Sequence, residues 1–244
     1  VEMVQSPPFN GQSNRFELRS FLRNRHMHIK KQVGSVADLI NRYQDVLQQD
    51  VGDWRLRLEL AKLLEQTGNR SDAYKQLERV FTDFPHDRAS HLMMATMLYK
   101  DRRFKEEIFH LKRALKYTRG DETQIALING SLGVAYEKAG DQDAAIEILA
   151  RVARNNPGLV QITLNAYEEL IRISRKFGRS EDLKTFANEV QRYGEHAVTM
   201  GLDYPGLYKS MAKILRLAGL ESQAQRWADA SDGHDDRASG NMMR

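Results

Sequence analysis

The run Leu132-Gly133-Val134-Ala135-Tyr136, followed by a turn at Gly140 and then by Ala145, Leu149 and Pro157, constrains this chain more than any other stretch. Gly133 and Ala145 are small where two antiparallel helices would cross, so the backbones can approach closely. Tyr136 and Leu149 fill the space beside them, and Pro157 stops the second helix. The pattern recurs. Counting back 38 residues from Gly133 reaches Ala95, and a further 34 reaches Ala61. Tyr136 maps to Leu98 and Leu64, Leu149 to Leu111 and Leu77, and Pro157 to Pro85. The turn returns as Gly68-Asn69-Arg70-Ser71 and as Asp101-Arg102-Arg103. Two weaker copies follow, one with Leu170, Ile171, Ser174, Gly178, Leu183 and Ala187, the other with Met211, Ala212, Leu215, Gly219 and Ala224. A period of this length means stacked helical hairpins, none of which buries its apolar face alone.

A Leu-Gly-x-x-Tyr first helix and an Ala-x-x-x-Leu second helix ending before proline resemble the tetratricopeptide repeat, or TPR. The resemblance spans residues 36–230 and implies an all-α fold, a right-handed α-solenoid of antiparallel helix pairs forming a TPR-like superhelix. Repeats are expected at 54–87, 88–121, 126–159, 164–197 and 205–230, with a four-residue insertion near Asp121 to Ile125. In the fourth copy Ile171 replaces the small residue and Ser174 the large one, so a change of helix spacing is expected there.

The flanks read differently. Residues 1–15 are expected to be disordered, and residues 16–53 to supply N-terminal helices capping the solenoid. Within them, Leu18, Phe21, Leu22, Ile29 and Val33 fall near helical spacing among Arg19, Arg23, Arg25, Lys30 and Lys31, which predicts a basic helix docked by its apolar side. Ser35, three residues before Asp38, suits an N-cap for a helix over 36–49. Trp54 is expected to wedge between repeats. Met93, Met94 and Met97 read as gap-filling core. Residues 231–244, rich in Ser, Asp, Gly and Asn, predict a disordered tail.

The chain has no cysteine, which removes disulfides, thiolate catalysis and thiolate metal sites together. No phosphate loop, zinc-helix motif or nucleophile elbow is present. Glu106-Glu107 and Glu168-Glu169 are adjacent pairs, so on a helix they diverge. No enzymatic activity, cofactor or metal is expected. No apolar run is long enough to span a membrane. The compartment is expected to be the cytoplasm, or the periplasm or a membrane surface if a segment upstream of Val1 has been removed.

Function is therefore expected from geometry. In the resembled family the first helices line a concave groove that receives an extended peptide or a helix of a partner. Matched copy by copy, the exposed groove residues would include Arg55, Leu58, Lys62, Glu65 and Gln66, then Leu92, Thr96, Tyr99 and Lys100, then Leu127, Val134, Glu137 and Lys138. The last two copies add Asn165, Glu168, Arg172, Arg175 and Lys176, then Lys209, Lys213 and Arg216, six basic residues against Glu168. The Lys and Asn clamp that some family members use on a chaperone C-terminus is missing. The expected function is a scaffold or adaptor that binds another protein, with an acidic segment suited to the C-terminal half of the groove. The alternatives are an RNA- or anionic-membrane-binding repeat using Arg102, Arg103, Lys105, Lys112, Arg113 and Lys116 together with the N-terminal basic segment, with Phe104, Phe109 and Tyr117 expected in the core, or a homo-oligomer formed through the open ends.

Overall fold

The computed structural model describes residues 35–49, 52–202 and 205–241, and the basic helix expected over 16–33 lies outside them. Every regular element among the described residues is a helix. Two compact units divide after Pro85. The first contains α1 (Val36–Gln49), α2 (Trp54–Gln66) and α3 (Arg70–Asp83). The second contains α4 (Arg88–Lys100), α5 (Phe104–Lys116), α6 (Glu122–Ala139), α7 (Gln142–Asn155), α8 (Val160–Lys176), α9 (Ser180–Thr199), α10 (Pro205–Leu217) and α11 (Glu221–Asn241). In the second unit each helix packs against the next, and the first helices α6, α8 and α10 also pack in succession. None of the described helices is long and apolar enough to cross a membrane.

Helix starts are set chemically. Asp53, Asn69, Asp87, Asp121 and Asp141 are N-caps whose side chains accept a hydrogen bond from the amide three residues on. Each such cap contributes about 1 kcal/mol. Ser35 does the same for α1, accepting from the Asp38 amide at 3.1 Å. The hairpin turns fall at the expected positions, with Gly68, Gly140, Gly178 and Gly219 at positive φ. In the second copy that place falls to Arg102, at φ 60°, the one non-glycine residue with positive φ among the described residues.

The crossing of α6 with α7 is as close as its residues require. A Cβ added to Gly133 would lie 2.5 Å from Leu149 Cγ, and Ala145 is fully buried. In the first unit Ala61 and Ala73 are likewise buried. Met94 and Met97 are core. In the fourth copy Ile171 and Ser174 are both fully buried, so the exchange of large and small residues is absorbed inside the pair. Trp54 packs on Phe84, with ring centroids 5.4 Å apart, and Trp227 packs on Tyr208 at the same distance.

The tail departs from its composition. α11 continues to Asn241, so residues 231–241 are helical where disorder was expected. Extending a docked helix adds a hydrogen bond per residue without a new nucleation step, which lets Ser, Asp and Gly residues follow.

Gly133→Ala is expected to destabilise the protein by about 1–3 kcal/mol by overpacking against Leu149. Arg102→Gly is expected to stabilise it by about 1 kcal/mol by relieving the left-handed backbone. Urea unfolding of both variants checks the pair, and a neutral Gly133→Ala would remove the close crossing.

Candidate functional site

In the second unit three first helices turn one face each toward a common groove. Leu92, Thr96 and Tyr99 of α4 lie one helical turn apart, as do Leu127, Ser131 and Val134 of α6 and Ile162, Asn165 and Glu169 of α8. The groove has a volume of about 430 Å³, and its floor comes from the second helices, through Glu107 and Leu111 of α5 and Leu149 and Val152 of α7. Tyr99 is 45% exposed and Leu127 46%, large apolar surfaces left to solvent on a groove wall. Gly130 also lines the groove, and a Cβ there would meet nothing within 4 Å. It occupies the place of Leu92 one copy on, so its lack of a side chain opens space that packing does not demand.

The structure thus brings together Leu92, Tyr99 and Leu127, with Thr96, Val134 and Asn165. It does not bring the cations there. No Lys or Arg lines the groove among the described residues, and the carboxyl groups that do are Glu107 and Glu169. Lys62 lies in the first unit, paired with Glu59 at 2.6 Å, and Leu58 is buried there instead of exposed. Lys100 is exposed at the end of α4.

The remaining basic residues act as struts. Glu137, expected on the surface, is 4% exposed and lies 2.7 Å from Lys176 Nζ and 3.4 Å from both Arg172 and Lys138. Burial alone would raise its carboxyl, but the hydrogen bonds from Lys176 and Arg172 outweigh that and hold it below the ordinary value. Arg172 also donates Nε to Glu169 at 2.9 Å, and Arg175 donates to the Leu217 carbonyl at 2.8 Å. Lys213 pairs with Glu168 at 2.6 Å and Arg216 with Glu221 at 3.5 Å. Lys209 is exposed on α10. Six cations against one acid was therefore an undercount of the acids. Glu137, Glu169 and Glu221 come in from neighbouring turns and helices.

Glu107 is the residue that sequence reasoning missed. The 38-residue offset places it at the position of Ala145, where Ala73 stands in the first unit. The register held that signal. Adjacency alone makes Glu106 and Glu107 two diverging side chains, and they do diverge. Glu106 is exposed and held by Arg103 at 2.7 Å. Glu107 is 4% exposed, and its Oε2 has no hydrogen-bond partner. Burial pushes its carboxyl up to about 7. Nearby, His91 and His110 join α4 to α5 through ring nitrogens 2.9 Å apart. Burial, then the second histidine, pushes His110 down to about 4.

The repeat pattern and the helical hairpins are matched by comparison with known proteins. Residues 37–97 match a sequence profile described as tetratricopeptide repeat, and residues 131–158 match a second profile of the same description. The chain carries tetratricopeptide repeats. Among curated proteins no sequence matches it. Its fold is similar to that of PilW, titled a widely conserved type IV pilus biogenesis factor, with a TM-score of 0.56 at 15% identity over 93% of this chain and 96% of that one. PilF of Pseudomonas aeruginosa gives 0.56 at 14% identity, over 88% and 90%. YrrB, titled a TPR protein with an unusual peptide-binding site, gives 0.51 at 11% identity, over 78% and 90%. At such identities the likeness is one of fold.

Glu107 supplies a pH signature for this TPR chain. Its folded carboxyl holds a proton up to about 7 against an ordinary 4.5, so the native state binds more protons in that window. Its contribution to stability therefore falls as pH rises from 4.5 to about 7. His110 acts oppositely, because the unfolded chain takes up the proton between about 4 and 6.5. The difference between Glu107→Gln and wild type isolates the carboxyl. The variant's advantage in unfolding free energy should grow across that window and then level off. A constant difference from pH 4.5 to 7 would show that Glu107 titrates normally.

Proposed function

We propose that this TPR protein is a non-catalytic scaffold or adaptor that holds a segment of another protein in the groove of its second unit. The observation that carries this reading is the exposed apolar pair Tyr99 and Leu127 on facing walls of a groove built from three consecutive first helices. Isolated exposed apolar side chains are ordinary, but a concave, contiguous set with a few polar groups marks a binding site. The volume suits the side chains of a short segment rather than a folded domain. Peptide binding by YrrB, a protein of the same fold, is consistent with this use.

An acidic flank of the bound segment suits the α8 and α10 end. There Arg175, Lys209, Lys213 and Arg216 come from two successive first helices, with Arg175, Lys213 and Arg216 holding the Leu217 carbonyl, Glu168 and Glu221. Each exposed pair contributes about 0–1 kcal/mol, so the apolar groove dominates affinity.

Peptides selected from a random display library against the intact chain test the proposal. Their binding should weaken about tenfold or more in Tyr99→Ala and Leu127→Ala, since a buried aromatic or leucine anchor contributes about 1.5–3 kcal/mol. It should be lost in Gly130→Phe, which fills the groove from a position with room for a side chain. Lys209→Glu with Lys213→Glu should weaken only peptides with an acidic flank, and only at low salt. Peptides indifferent to Gly130→Phe would place binding outside the groove.

A second reading is carried by Phe109. Expected in the core, it is 52% exposed on α5, with the Arg113 guanidinium 5.3 Å from its ring. Phe104 and Tyr117 are half-buried. An exposed aromatic beside Lys105, Lys112 and Arg113 suits stacking on a single-stranded nucleic acid. Oligouridine binding that disappears in Phe109→Ala would favour this reading.

A further inference from the structure

We infer that the groove takes a partner segment carrying a lysine or arginine among apolar side chains, and that this cation is lowered onto the carboxylate of Glu107. The inference rests on the groove being the docking site. Glu107 fills a position that alanine fills in two other copies, Ala73 and Ala145, both fully buried. Nothing in the helix crossing needs a carboxyl there. An unpaired carboxyl taken out of water opposes folding, and natural chains keep such groups where function uses them.

The chain provides a contrast in Glu137. That carboxyl is as deeply buried, and three cations of the same chain surround it. Glu107 Oε2 has no partner within the chain, yet the residue lines the groove. The other carboxylate on the groove wall, Glu169, already accepts from Arg172. With Glu107 and Glu169 as its charged lining residues, the groove complements a cation and opposes an acid at its centre. Gly130 leaves space for a long side chain to descend, since a Cβ there meets nothing within 4 Å. The methylenes of a lysine or arginine would pack along Leu92, Leu111 and Val134 while the charged head reaches the carboxylate.

The probes are peptides enriched from a random display library on the intact protein, each paired with a copy whose basic residue is replaced by norleucine. Enriched peptides should carry a lysine or arginine between apolar residues. The norleucine copy should bind about tenfold more weakly or worse, the range for a hydrogen bond to a charged group. Glu107→Ala should lose the same factor, and the norleucine exchange should then have no further effect, so the two losses form a coupled cycle. Folding does not confound this, because Glu107→Ala matches the residue of the neighbouring copies and should unfold at higher urea than wild type. Equal affinity for Glu107→Ala and wild type would overturn the inference while leaving the groove reading intact, provided Gly130→Phe still abolishes binding. Enrichment of peptides without a basic residue would overturn it too. Peptides that survive Gly130→Phe would remove the groove reading and this inference together.

Discussion

The structure depends on how closely two helices of one hairpin can cross. Where α6 meets α7, Leu149 sits so near the Gly133 backbone that no side chain fits. That contact fixes the spacing of the pair, and the spacing fixes which residues of the first helix turn outward. A stripe at positions one turn apart then follows on each of α4, α6 and α8, and the stripes together make the groove. Caps and turn glycines set where helices begin and end. The small residues at the crossings set where their faces point.

Two carboxylates break the apolar interior, and their surroundings separate them. Glu137 has three cations within reach and stays ionised. It ties α6 to α8 through Lys176 and Arg172, holding two groove walls in register. Glu107 has burial without compensation, and its proton is retained to about 7. The chemistry of the group is identical in both. Only the supply of positive charge differs, which makes one a strut and leaves the other uncompensated.

The fold was legible in the sequence because its determinants are local. Gly68, Gly140, Gly178 and Gly219, the capping aspartates and the recurring small residues each act within one hairpin. The apolar part of the groove was legible for the same reason, since Leu92, Tyr99 and Leu127 follow from helical spacing within a copy. The charges were not. Whether Arg172 is free depends on Glu137, which lies 35 residues away on another helix, and no spacing rule brings them together. Phe109 escaped through another gap. Its neighbours Ile108 and Leu111 face inward, and a run of apolar letters does not say which side of the helix each one takes. Glu107 was within reach of the sequence, because the same offset that aligned Leu111 with Leu149 aligned it with Ala145.

The distribution of ion pairs carries a further consequence for the groove. Arg154 with Glu189, Arg179 with Asp143, Lys176 with Glu137 and Lys213 with Glu168 each join helices of neighbouring hairpins in the second unit. Most are exposed and individually weak. Glu137 differs in that its carboxylate is buried, while Lys176, Arg172 and Lys138 around it stay partly exposed. The walls α6 and α8 are therefore joined at a buried carboxylate, while α4 packs on α5 through apolar residues and the His91–His110 contact. Glu107 stands on α5, between α4 and α6, beyond the reach of that cluster of cations.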